Sequence, residues 1–138
     1  MADLTITVTQ IVPGSDAQLA YGTAGATITA GQAVYLDAAT STWKLFDAND
    51  TATNTYTPGL ALNGASSTQA ITVQMGGSLT LGAGAAPVLS TIYIASATPG
   101  GIAPAADLTS GWVTTILGVG GATNNLKMKV YTSGSTKA

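Results

Sequence analysis

Histidine, arginine, glutamate and cysteine are all missing from this 138-residue chain. Without cysteine there is no disulfide, no thiol nucleophile and no soft metal ligand. Without histidine the commonest general base is gone, and with it the usual Ser-His triad and the ordinary zinc, iron and copper sites. Without arginine there is no planar fork to grip phosphate or a base edge. Charge of either sign is scarce: charged residues make up 7% of the chain, against about a quarter in an ordinary soluble domain. The lysines Lys44, Lys127, Lys129 and Lys137 are scattered and too few to neutralise many phosphates, so no nucleic-acid partner is expected. No apolar run approaches the roughly 18 residues that span a membrane, so no membrane association is expected. The opening Met1-Ala2-Asp3-Leu4 lacks the basic start and apolar stretch of a secretory signal, which points to synthesis in a cytoplasm.

What remains is alanine, valine, threonine, serine and 17 glycines, with 46% hydrophobic residues. One domain with a thin core fits this length, and association with neighbours would add stability. Alternation with period two dominates. Leu4, Ile6 and Val8 face one way and Thr5, Thr7 and Thr9 the other, as in a half-buried strand. Further strands are expected at 26–30, 32–37, 43–47, 59–62, 69–75, 78–81, 91–95, 101–103, 113–119 and 126–131. Asn63-Gly64, Gly76-Gly77, Pro99-Gly100-Gly101 and Gly120-Gly121 punctuate them. Short strands at this spacing predict an all-β single domain, a small β-barrel or β-sandwich. Residues 1–15 are expected to form an extended N-terminal arm hinged at Pro13-Gly14, and 16–138 the barrel or sandwich. The polar stretch 47–57 reads as an exposed loop, and Ser133–Ala138 as a frayed tail.

The two halves resemble one another. Ala33-Val34-Tyr35-Leu36 matches Thr91-Ile92-Tyr93-Ile94, with Tyr35 and Tyr93 aligned, and Val73 aligns with Val130. Two related β-units would give this pattern, and so would any two glycine-rich β segments.

Chemistry is hard to place. The six aspartates fall mostly in turns, where they cap backbone N–H groups. Asp47-Ala48-Asn49-Asp50 gathers oxygen ligands but lacks the calcium-loop pattern and its terminal glutamate. The Gly118-Val119-Gly120-Gly121 run precedes neither a helix nor a Lys-Ser/Thr pair, so it reads as a tight turn rather than a phosphate cradle. No catalytic residue, cofactor or metal is expected, and the chain is read as a non-enzyme. Trp43 and Trp112 border strands after polar turns and are candidates either for interface anchors or for corner plugs. With Leu4, Ile6 and Val8 they make up the expected capsid or subunit interface.

Three ordered phrases give a resemblance to the decoration, or cement, proteins of tailed-bacteriophage heads. They are Ala26–Asp37; Gly59–Asn63 with Ile71–Gly77; and Ile92–Ile102 leading into Leu117–Gly120. The resemblance implies a β-barrel or β-sandwich bound to the major capsid protein on the outer surface of a virion, commonly as a homotrimer. It also implies an N-terminal arm reaching over a neighbour, so that Leu4, Ile6 and Val8 would be buried only on assembly. The other classes considered are a head- or tail-fibre module binding a receptor or glycan, and a bacterial surface or pilus subunit.

Overall fold

The computed structural model describes residues 3–49, 58–82, 87–121 and 125–137. The all-β expectation holds. Ten strands form a curled antiparallel sheet, a half-barrel, and among the described residues there is no α-helix. The strands are β1 (Val12–Pro13), β2 (Gln18–Thr23), β3 (Ala33–Asp37), β4 (Thr42–Leu45), β5 (Pro58–Ala61), β6 (Ala70–Thr80), β7 (Ile92–Ala95), β8 (Ile102–Pro104), β9 (Val113–Gly120) and β10 (Asn125–Thr136). Short 3-10 turns occupy Val8–Gln10 and Ala105–Asp107.

The strand order β4-β3-β5-β6-β10-β9-β7-β8 contains the same motif twice. In each half the first strand pairs with the second and third, and the third pairs with the fourth. The backbone hydrogen bonds repeat residue for residue. Gln32 N–H donates to Thr29 O and Thr91 N–H to Val88 O; Gly31 N–H donates to Ala61 O and Ser90 N–H to Gly120 O. Each partner in the second set stands 59 positions after its counterpart, as 32 and 91 or 61 and 120 do. The cross-strand pairs Ala33–Leu60 and Ile92–Val119 obey the same shift, as do Leu36–Trp43 and Ala95–Ile102. Past the hairpin the shift falls to 53, because Leu62 N–H reaches Thr72 O while Gly121 N–H reaches Asn125 O. Val73 and Met75 therefore match Leu126 and Met128.

The duplication read from the sequence is thus present, with its alignment corrected. Tyr93 is the counterpart of Val34, not of Tyr35, and Val73 that of Leu126, not of Val130. A one-residue slip exchanges the two faces of a strand. Left-handed turn positions also repeat but change residue: Gly31 (φ 87°) answers to Ser90 (φ 67°), and Ser41 (φ 56°) to Gly100 (φ 78°). Glycine adopts this region freely while serine is strained there, so the backbone repeats where the letters do not.

Two cores follow from the faces. Ala33 and Leu60 of the first repeat meet Tyr93, Ala95, Ile102, Leu117, Leu126 and Met128 of the second in the main core. The opposite face of the first repeat, with Val34, Trp43, Ala61, Ile71 and Val73, closes over a second core. There the chain curls back on itself, as Gly25 N–H donates to Trp43 O beside an Ala24–Trp43 bridge. Burial on both faces explains why β5 shows no alternation at all.

Several boundaries differ from expectation. The two strands expected at 69–75 and 78–81 are one, β6, running through Gly76-Gly77. β2 and β5 both pair with Val73 and Gln74, and β2 and β10 both pair with Gly76, so β5 and β10 share one edge of β6 end to end. The fully buried Gln74 makes this possible: its Nε2 donates to Gly76 O at 3.0 Å and to Ser78 O at 2.8 Å, taking up carbonyls at the bend. The expected strand at 26–30 is only an isolated Ile28–Ala65 bridge. The tail is not frayed as expected, since β10 stays paired to Thr136 and Lys137 N–H donates to Trp112 O. β1 and β2 were not anticipated; β2 is exposed along nearly its whole length, and its alternating pair Leu19 and Tyr21 faces outward.

Replacing Gln74 with leucine keeps the volume but removes the side-chain donor to Gly76 O and one of two donors to Ser78 O, which keeps the Gly14 N–H, and is expected to cost about 1–3 kcal/mol. Urea denaturation of the Gln74→Leu protein measures it; unchanged stability would contradict this role for the side chain.

Candidate interaction surfaces

The N-terminal segment is not a strand. Residues 3–7 are extended without ladder pairing, and Val8–Gln10 forms a 3-10 turn. Its seat on the body is lined by glycines. A Cβ on Gly31 would meet Ile6 and Ile11, one on Gly82 would meet Thr7 and Gln10, and one on Gly101 would meet Asp3. Leu4 N–H donates to Ile102 O at 2.8 Å, and Ser96 Oγ donates to the Asp3 carboxylate at 2.9 Å. Leu4 and Ile6 pack, partly buried, against the main core of their own chain. The expectation that Leu4, Ile6 and Val8 are buried only on assembly is therefore corrected. The first two are already covered, because small residues beneath them let the arm lie close, and Val8 alone points outward at 50% exposure.

The tryptophans separate. Trp43 is a plug of the second core at 4% exposure, so its expected availability at an interface is also corrected. Trp112 is half-buried and lines an open cleft of about 470 Å³ with Asp3, Ser96, Thr98, Asp107 and Thr109.

The aspartates do largely what turn aspartates do. Asp37, Asp47 and Asp16 accept the backbone N–H groups of Ala39, Asn49 and Ser78. Asp37 also accepts from Lys44 Nζ at 2.8 Å. That hydrogen bond first, then the Ala39 N–H, holds its carboxyl below the ordinary value of 3.8. A lowered pKa means that this pair supports the fold above the usual carboxylate range, and that the support fades as acid protonates Asp37. Of the calcium candidates, Asp50 lies outside the described residues, as does the stretch 50–57. Among the described residues no three metal-ligating side chains cluster.

Two apolar surfaces went unmarked in the sequence. On β2, Leu19 and Tyr21 stand out from the sheet. On the outer side of β7, β9 and β10, Ile92, Val119 and Tyr131 are exposed around a groove of about 310 Å³. Neither was legible because the alternation that marks an inward face does not say whether the outward face is also apolar.

Ile6→Ala, made in the full chain, is expected to lower stability by about 1–2 kcal/mol. Thermal unfolding of dilute protein checks this; an unaffected melting temperature would mean that the arm does not rest on its own body.

Comparison with known proteins returns no matching family model, no matching curated protein and no matching solved structure.

Proposed function

We propose that this chain is a non-catalytic structural subunit that attaches to a larger protein assembly, and that the assembly is the outer surface of a viral shell, which it cements. The observation that carries the reading is β2. This strand pairs with β6 along one edge, meets β4 only towards its end, where Gly22 lies against Trp43, and holds Leu19 and Tyr21 out in water. An exposed strand bearing apolar side chains is a hazard to a free protein and an asset to one that is covered in use, since a partner strand can add to its edge. The sparse charge supports the same view, because little repulsion keeps such a surface from its neighbours. The resemblance to phage-head decoration proteins supplies the shell, with the major capsid protein as the partner and no cofactor involved.

A fibre module binding a host glycan is the second reading, favoured by the cleft where Trp112 stands beside Asp3, Asp107 and Thr109. Electron cryo-microscopy of particles bearing the chain separates the two. Density on the outer face of the shell, with occupancy reduced by Leu19→Lys and Tyr21→Lys, is expected. A location in the tail, or absence from particles, would overturn the cement reading.

A further inference from the structure

Strand β2 has a twin inside β6, and the two differ in what covers their outer edge. Leu19, Ala20 and Tyr21 pair with Gln74, Val73 and Thr72. The counterparts of these partners in the second repeat, Lys127, Leu126 and Asn125, pair with Ser78, Leu79 and Thr80. Leu19 and Ser78, like Tyr21 and Thr80, therefore stand 59 positions apart, the same shift that relates the two repeats. The far end of β6 is to β10 what β2 is to β6.

On the twin, an extended segment fills the outer edge. Val12 and Pro13 of β1 lie antiparallel against Thr80 and Leu79. Gly14 N–H donates to Ser78 O at 2.8 Å, and Ser78 N–H donates to Asp16 Oδ1 at 2.9 Å. On β2 the same edge is vacant: among the described residues β2 pairs with β6 alone. The groups left over can be named. Ala24 N–H donates to Gln69 O and Ala24 O accepts from Thr68 N–H, both on the side of β6. Alternation along an antiparallel ladder turns Gly22 and Ala20 the same way, and turns the N–H and C=O of Leu19 and Tyr21 outward. Gln18–Thr23 carries neither charge nor proline, the usual guards of an open edge.

We infer that this vacant edge receives an extended segment of the protein to which the chain attaches. The segment runs antiparallel to β2 and exchanges N–H and C=O bonds with Leu19 and Tyr21. It sets apolar side chains, β-branched or aromatic, beside theirs. Its length is close to that of Val12–Gly14, because beyond Gly22 the edge passes to β4, where Gly25 N–H donates to Trp43 O. The described ends of this chain are not free to supply it. Residues 3–7 are seated over Gly31, Gly82 and Gly101, and β10 stays paired to Thr136. The source of the segment rests on the attachment proposed above; the vacancy does not.

Nuclear magnetic resonance of the full chain tests this with a defined probe, the acetylated and amidated peptide Val-Thr-Val-Thr-Val. Saturable shifts confined to the amides of residues 18–23 are expected. The same peptide with methylated backbone nitrogens should not bind. Tyr21→Pro, which removes one outward N–H, should weaken binding at least about tenfold. Proline is tolerated where an edge N–H faces solvent, and near-ultraviolet circular dichroism checks that the variant is folded; the methylated peptide decides if it is not. Ile92→Asp, on the exposed side of β7, should leave binding unchanged. No saturable shift, equal binding of the methylated peptide, or shifts centred elsewhere overturns the inference. So does protection of the Leu19 and Tyr21 amides that grows with protein concentration in the absence of peptide, which would put a second copy on the edge. A chain that binds the peptide but is absent from particles loses the shell reading alone. A chain seated on the shell whose Leu19 and Tyr21 amides still exchange freely loses this inference alone.

Discussion

The contact between one face of the first repeat and the opposite face of the second is the constraint on which the rest of the molecule depends. Ala33 and Leu60 supply one side of it, and Tyr93, Leu117, Leu126 and Met128 the other. β-units of this size are marginal alone and gain stability from such packing. The other elements serve this contact. β6 bends at Gly76-Gly77 so that one strand belongs to both repeats, and Gln74 donates to Gly76 O and Ser78 O at the bend. Gly77 sits at φ 86° with Asp16 and Ala17 against it, which leaves no room for a side chain.

The packing is not symmetric, and the asymmetry shapes the surface. Two repeats with two faces each give four faces. One pair forms the main core, and a third curls over the second core around Trp43 and Ile28. The fourth is left outside, with Ile92 and Val119 where its twin has Ala33 and Leu60. The open face keeps apolar side chains, which is the reverse of what a face intended for water would carry. The assembly reading draws on a different surface, that of β2.

Much of the fold was legible in the sequence, for identifiable reasons. β3, β5, β7, β9 and the first half of β10 announced themselves through β-branched and aliphatic runs ending in glycine turns. β6 was divided because Gly76-Gly77 carries the letters of a turn, and only the buried Gln74 side chain makes it a bend within a strand. The repeat was visible but misaligned, by one residue at the tyrosines and by four at Val73, because two tyrosines attracted one another although they point to different faces. The serine-for-glycine exchanges at Ser41 and Ser90 hid the true register. Among the candidate interface residues, Leu4 and Ile6 were rightly read as apolar and alternating. What the sequence did not reveal is that Gly31, Gly82 and Gly101 form a seat for them within the same chain, since nothing local ties position 6 to position 31 or position 3 to position 101.

The dependence of each repeat on the other is tested most directly by hydrogen exchange of the native protein, comparing β5 of the first repeat with β9 of the second. If the shared core holds both, their slowest amides open together with a single free energy equal to that of global unfolding. Two separate opening energies, with one repeat retaining protection after the other has exchanged, would contradict the account.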